Sequence, residues 1–117
     1  FSTHMSLEDP DPAIQQFKKD YQADIGNPPE NAFAALGYDT MKVLAKAIEI
    51  TGSAEPKKIP EGLAKIQDFK GVSGVISYLE GSQVPTKGVS VIEVKDGKFI
   101  TVKQIAPEYM PDPKIAK

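Results

Sequence analysis

The side chains that could support catalysis are few in this chain. His4 is the single histidine, no cysteine is present, and no serine lies in the Gly-x-Ser-x-Gly pattern that exposes a nucleophile on a sharp turn. Nucleophilic catalysis needs a nucleophile within hydrogen-bond reach of a base. An isolated histidine is more typical of a surface or hinge position than of a catalytic one. The sequence therefore predicts a protein that is not an enzyme.

Acidic side chains gather near the start of the chain, at Glu8, Asp9 and Asp11. A metal site needs several ligands that converge on one point, whereas these three form only a local cluster around prolines. Asp11 precedes Pro12, which is the pattern of a helix N-cap followed by proline at the first helical position. Negative charge is also favourable at a helix start. We expect a solvated loop leading into a helix here, with no metal and no cofactor.

Phe33, Tyr38 and Asp39 lie in one segment, residues 31–51. Its asparagine at position 31 can cap a helix, and the glycine that follows position 51 is a usual helix end. About 20 residues at 1.5 Å per residue predict a helix roughly 30 Å long. A phenylalanine on such a helix is more often in the core than at a ligand. Tyr38 is equally well interpreted as a packed ring, and Asp39 as a surface or hinge acid.

The long predicted helix is apolar on two sides. The first side carries Phe33, Gly37, Met41, Leu44 and Ile48, and the second carries Leu36, Val43, Ala47 and Ile50. Polar cover is confined mainly to Asp39, Lys42, Lys46 and Glu49. A helix with so much apolar surface packs against more than one neighbour. The chain contains no continuous apolar strand runs of the kind found in buried parallel sheets, so we expect one side of the helix to lack a partner within this chain.

The remaining patterns predict two more helices followed by strands. Apolar residues at spacings of three and four predict a helix over residues 12–25, and a short helix is predicted at 58–67 with Ile59, Leu63 and Ile66 facing inward. After residue 70 the apolar period changes to two, which predicts a strand from Val72 to Tyr78, and residues 80–88 are predicted to form a loop. Asp96-Gly97 lies between two apolar runs, the strongest local signal of a β-hairpin.

Composition narrows the class of protein. The chain has 117 residues, 40% of them hydrophobic and 26% charged, with a net charge of −2, as in one ordinary soluble domain. Lysines alternate with acids and form no basic stripe, so a nucleic-acid partner is disfavoured. No apolar run approaches the ~18–20 residues that span a bilayer. Because the chain opens with Phe1 and has no signal-peptide pattern, we expect a piece of a longer or processed protein.

Five motifs occur in an order that resembles a known family. They are STHMSLEDPDPAIQQFKKDY, FAALGYD, GS…P…IPEGLAKI, DFKGVSGVISY and KGVSVIEVKDGKF. This series resembles the C-terminal third of type I periplasmic solute-binding proteins, and more closely the branched-chain amino-acid (Leu/Ile/Val) group that serves ABC importers. The resemblance covers nearly the whole chain. Pro60 and Gly62 depart from it, as does the loop at 80–88, which lacks the family's common acidic-glycine turn.

The resemblance implies a two-lobed α/β architecture in which a solute binds between lobes joined by three hinge crossings. This chain would be a partial type I fold of three helices and antiparallel hairpin strands, without the N-terminal parallel sheet. Residues 1–10 would form a hinge crossing or loop, and 11–70 the helical part of a lobe. Residues 71–106 would form a strand and hairpin region that returns across the hinge, and 107–117 an extended tail.

The resemblance also implies a function and partners. The protein would be the solute-binding component of an ABC importer for amino acids, branched-chain or similar small polar solutes, and would lie in the bacterial periplasm or on the cell surface as a lipoprotein. Phe33 matches the position where this group places an aromatic ring against the solute, and Tyr38, Asp39 and His4 are weaker ligand candidates. The partners would be the membrane permease and the remainder of the parent chain, or a swapped copy of this chain. A ligand-sensing domain and an oligomerisation module are the alternatives.

Overall fold

The structure, a computed structural model, describes residues 1–79 and 81–107. The elements in chain order are β1 (Ser2–Thr3), α1 (Pro12–Ile25), α2 (Ala32–Thr51), α3 (Ile59–Leu63), β2 (Phe69–Gly71), β3 (Gly74–Tyr78), β4 (Pro85–Lys87), β5 (Val89–Lys95) and β6 (Lys98–Ile105). This α/β arrangement of three helices and antiparallel strands confirms the predicted fold class, with α2 the longest helix. The predicted tail at 107–117 lies outside the described residues except for Pro107.

The two long helices begin and end at the residues that their sequences indicate. Asp11 accepts a hydrogen bond from the Ala13 N–H at 2.8 Å, and Asn31 accepts one from the Phe33 N–H at 2.9 Å. Gly26 and Gly52 end the helices with φ of 86° and 67°, a conformation that is unstrained for glycine. None of the described helices is both long and apolar enough to cross a membrane.

The strands form two antiparallel three-stranded sheets. Sheet I has the order β2–β3–β4, and sheet II has the order β1–β5–β6. In sheet II, β5 and β6 are joined at Asp96 and Gly97, whose φ values of 52° and 73° allow a two-residue turn between the paired residues Lys95 and Lys98. The pairing of Lys95 with Lys98 confirms the predicted hairpin. The positive φ values of Asp96 and Gly97 are those that a two-residue turn of this kind requires.

Three local predictions differ from the structure. The strand predicted from Val72 begins only at Gly74, because Val72 and Ser73 form the turn between β2 and β3. The loop predicted at 80–88 contains β4, which pairs with β3. The third helix ends at Leu63 instead of continuing to 67, and the chain then turns so that the N–H of Ile66 bonds to the Leu63 carbonyl.

Among the described residues, most of the core lies in two clusters that α2 connects, and Ile92 of β5 is buried outside both. The first lies between α1 and the start of α2 and contains Met5, Ile14, Phe17 and Ala35. The second lies between α2, α3 and sheet I and contains Val43, Ala47, Ile66 and Ile76. Burial of each large apolar side chain contributes about 1.5–3 kcal/mol to the stability of the folded state. Because α2 contributes residues to both clusters, it holds α1, α3 and sheet I together.

The buried stripe of α2 matches the predicted apolar sides only in part, at Val43 and Ala47 of the second side. It consists of Ala35, Asp39, Val43 and Ala47, at intervals of four residues. Asp39 is only 1% exposed, so its assignment to the polar cover of the helix is wrong. On the opposite side, Phe33 and Met41 are 71% and 65% exposed. The described residues thus leave part of one apolar side of α2 open, as expected from the sequence.

Candidate functional site

A buried, hydrogen-bonded polar group surrounds Asp39. Its Oδ1 accepts a hydrogen bond from the Val72 N–H at 2.9 Å, and its Oδ2 accepts one from the Ser73 N–H at 2.7 Å. The Ser73 hydroxyl donates a further short hydrogen bond of 2.5 Å to Oδ2. Hydrogen bonds to an ionised acceptor are stronger than neutral ones, so Asp39 ties the β2–β3 turn to the middle of α2.

A glycine makes this contact possible. A Cβ built at Gly71 would lie 2.5 Å from Oδ2 of Asp39, so a side chain at this position would displace the carboxylate. Gly71 pairs with Gly74 across the two-residue turn. The Gly-Val-Ser-Gly sequence thus brings two backbone N–H groups and one hydroxyl to a single buried carboxylate.

Lys87 extends the group toward solvent. Its Nζ donates a hydrogen bond of 2.7 Å to the Ser73 Oγ. Partial burial lowers the pKa of Lys87 below its usual value, and the carboxylate of Asp39 acts in the opposite direction by raising it. The net lowering means that removal of the ammonium from water outweighs its attraction to the nearby carboxylate.

A cleft of about 660 Å³ lies beside this group and takes its walls from both sheets. His4, Ser73 and Lys87 contribute to the lining, together with Lys70, Ser77 and Gln104. The cleft therefore offers ammonium, imidazole, hydroxyl and amide groups, together with the carboxyl groups of Asp11 and Asp68, on a lining that is otherwise mainly apolar. Within the described residues, no three histidine, aspartate or glutamate side chains are grouped so that they could hold a metal ion.

The four residues that the sequence singled out are not brought together. His4 is exposed on the cleft wall. Phe33 is exposed in the first turn of α2, so the interpretation that it belongs to this chain's core is wrong. Tyr38 is 45% exposed, with its ring 5.3 Å from that of Phe17. Ligand contact by any of the four stays a prediction.

For Asp39 the interpretation as a surface acid is wrong, because the carboxylate is buried and engaged by three donors of the chain. A ligand contact at Asp39 would have to compete with these donors. Sequence reasoning also missed Gly71, Ser73 and Lys87 as members of this group. The two glycines that flank Val72-Ser73 could have indicated a tight hairpin turn. Nothing in the sequence near Lys87 indicated that it would bond to Ser73, which is 14 residues away.

Comparison with known proteins identifies one family. The family model described as periplasmic binding protein matches residues 1–98. A leucine binding protein from Thermotoga maritima is 36% identical, with a TM-score of 0.71, and the match covers 92% of this chain and 31% of that one. A putative branched-chain amino acid ABC transporter protein from Rhodospirillum rubrum is 25% identical, with a TM-score of 0.73, and the match covers 86% of this chain and 29% of that one.

A more distant match has a different ligand. The solute-binding protein of an ABC transporter from R. palustris, in complex with benzoate, is 24% identical with a TM-score of 0.69, over 91% of this chain and 29% of that one. At that identity the likeness shows the fold alone. The chain thus spans between 29% and 31% of the length of these three structures.

Proposed function

This chain belongs to the periplasmic binding protein family, and we propose that it is part of the solute-binding component of an ABC importer. The solved relatives in this family are solute-binding proteins and not enzymes. The proposed solutes are amino acids of the branched-chain group or similar small polar solutes. The whole protein would have about the length of its structural relatives. It would act in the periplasm or at the cell surface, where a lipid anchor would hold it, and would deliver its solute to a membrane permease.

The observation that carries this proposal is the 36% identity to a leucine binding protein over 92% of the chain. The benzoate-binding relative is 24% identical over nearly the same extent. The higher identity supports an amino acid over an aromatic acid as the solute. The family match also favours a binding role over an oligomerisation module.

The exposed ring of Phe33 supports an apolar side chain on the solute. It is 71% exposed at the start of α2, where the Asn31 cap fixes the local backbone. Covering apolar surface contributes about 25 cal/mol per Å², so an aliphatic side chain placed against this ring gains free energy from both surfaces. In this proposal Phe33 contacts the aliphatic part of the solute. Tyr38 and His4 are weaker candidates, and so is Asp39, whose buried carboxylate would have to exchange its present donors for the solute.

The proposed division of the chain does not coincide with the two sheets, because its boundary after residue 70 falls within β2 (Phe69–Gly71) and leaves β3 and β4 in the same part as sheet II. Residues 11–70 would belong to one lobe, residues 1–10 would form a hinge crossing or loop, and residues 71–106 would return across the hinge. The position of β1 beside β5 in sheet II supports this, since it brings the start of the chain next to the strand that follows β4. The exposed side of α2 would contact the remainder of the protein.

Calorimetric titration of the full-length protein tests the proposal. We expect saturable binding of leucine, isoleucine or valine, and at most weak binding of benzoate and 4-hydroxybenzoate, at neutral pH. A charged amino acid such as aspartate is the matched control, since it has the same α-amino and α-carboxyl groups without the apolar side chain. Binding of the benzoates alone, or equal binding of aspartate, would contradict the proposed solute class.

A further inference from the structure

The cleft beside Lys87 is lined mainly by aliphatic side chains. They come from the start of the chain, from α1 and from both sheets, and include Met5, Ile14, Val72, Val75, Val89 and Ile105. The described part of the lining contains no phenylalanine, tyrosine or tryptophan. With a volume of about 660 Å³, the cleft is within the range of roughly 300–1,000 Å³ that is typical of small-molecule sites. An aliphatic group that enters it withdraws apolar surface from water on both sides of the contact.

The ammonium group of Lys87 is fixed on the wall of this cleft. Its Nζ donates one hydrogen bond, of 2.7 Å, to Ser73 Oγ, and a Cβ built at Gly74 would lie 3.7 Å from its Cε. An ammonium has three donors, and the other two have no acceptor among the residues that the structure describes. The carboxylate of Asp39 is buried behind the Ser73 hydroxyl and already accepts three hydrogen bonds. An acceptor that enters the cleft would therefore find two donors on a half-buried cation.

The acidic groups of the lining are engaged within the chain, whereas its basic groups form no ion pairs. Asp11 caps α1 through its Oδ1, and Asp68 Oδ1 accepts a long hydrogen bond of 3.4 Å from a serine hydroxyl of β3. No carboxylate of the described residues pairs with Lys70, Lys87 or His4. The hydrogen-bonding capacity that is left in the cleft is therefore mainly that of positively charged donors.

We propose that this cleft binds an aliphatic monocarboxylate, with the carboxylate on the Lys87 ammonium and the hydrocarbon chain along the aliphatic lining. A hydrogen bond between two ionised groups is stronger than a neutral one, and the exposed side chains of Lys70 and His4 add positive charge nearby. Phe33 is not part of the lining, so this site is distinct from the solute contact proposed above. The inference does not rest on the proposed function.

Partial burial lowers the pKa of Lys87, because the ammonium has lost part of its hydration. A bound carboxylate would favour the charged form of the lysine and oppose that loss. The same burial that makes the free ammonium less favourable thus makes an anionic partner more favourable. An uncharged ligand with the same aliphatic chain would lack this gain.

Titration calorimetry of the full-length protein with hexanoate tests the site. Hexylammonium is the matched control, since it has the same aliphatic chain and the opposite charge. We expect saturable binding of hexanoate and at least about tenfold weaker binding of hexylammonium, because only the carboxylate can accept from Lys87. Absence of saturable hexanoate binding, or equal binding of hexylammonium, would overturn the proposal.

Two variants locate the bound hexanoate. Lys87→Met keeps the apolar stem and removes the donor, and Val75→Glu places a negative charge on the lining at a side chain that is 50% exposed. Each is expected to weaken hexanoate binding at least about fivefold, because the first removes an attraction and the second adds a repulsion. The matched controls lie outside the cleft, and both are expected to leave the affinity unchanged. They are Lys57→Met, at an exposed lysine, and Val84→Glu, at a valine that is also 50% exposed.

An affinity for hexanoate that is unchanged in Lys87→Met or in Val75→Glu would overturn the proposal, as would an equal loss in the controls. Phe33→Ala and saturating leucine distinguish this site from the proposed solute site, since neither is expected to change the affinity for hexanoate. Displacement of hexanoate by leucine, together with weaker binding in Phe33→Ala, would place it in the solute site and overturn a separate one. A protein that binds hexanoate through Lys87 but binds no amino acid would contradict the proposed function and support this inference.

Discussion

Gly62 of α3 lies directly against the backbone of Ala47 in α2. A Cβ built at Gly62 would overlap the Ala47 carbonyl group, and Ala47 itself is completely buried. Two helices with small residues at their contact can approach closely. The glycine that weakens α3 as an isolated helix therefore sets its distance from α2.

Gly62→Ala is expected to destabilise the protein by about 1–3 kcal/mol, even though alanine is the better helix former, because overpacking against backbone forces the helices apart. Urea unfolding of the full-length protein measures the effect. The control is Glu61→Ala in the same helix, which removes only a surface ion pair with Lys58 and is expected to change the free energy of unfolding by less than about 1 kcal/mol. A gain in stability from Gly62→Ala would show that α3 can move away from Ala47 without loss.

Phe33→Ala is expected to weaken solute binding by about 1–3 kcal/mol, because a ring in contact with the solute contributes its buried apolar area. Met41 is the matched control, since it is nearly as exposed on the same helix. Met41→Ala should leave the affinity unchanged. Titration calorimetry measures both variants.

Thermal melts of the same variants show whether Phe33 acts in folding instead of in solute binding. Val43 is 6% exposed, so Val43→Ala shows what loss of a core side chain costs in α2. We expect Phe33→Ala to lower the melting temperature less than Val43→Ala does. Unchanged affinity together with a large drop in melting temperature would mean that Phe33 belongs to a core completed elsewhere in the protein.

Tyr78 is expected to make stability depend on alkaline pH. Burial raises the pKa of the Tyr78 hydroxyl above its usual value of 10.0. The folded protein therefore holds this proton more tightly than the unfolded chain, and stability is lost as the pH rises above about 10. Tyr78→Phe lacks the ionisable group, so its unfolding free energy should fall less between pH 9 and 11. Parallel losses in both proteins would contradict a folded-state preference for the neutral phenol.

Residues 1–117 expressed alone are expected to associate or to melt without cooperativity. Phe33 and Met41 on α2, and Phe99 and Val102 on β6, are more than half exposed. Large apolar side chains in water forfeit roughly 1.5–3 kcal/mol each, which in sum is comparable to the stability of a small domain. Sedimentation velocity at low micromolar concentration is the measurement. A compact monomer with a cooperative melt would show that these surfaces need no partner, whether from the rest of the protein or from a swapped copy.

The sequence by itself determined the elements whose signals are local. Asn31 and Gly52 bound α2, and Asp96-Gly97 bounds the hairpin of sheet II. Caps and tight turns depend on side-chain and backbone contacts within a few residues, so they can be recognised without knowledge of the fold. The order of motifs also indicated the family that the comparisons show.

Only the tertiary structure decided how Asp39, Gly62 and Lys87 are used. Asp39 bonds to residues 33 and 34 positions away, and Lys87 bonds to one 14 positions away. A carboxylate on a helix is normally interpreted as solvent-exposed, because an isolated charge cannot be buried. The donors that make burial of Asp39 favourable come from the turn between β2 and β3. Their approach depends on close packing that residue type and spacing do not encode.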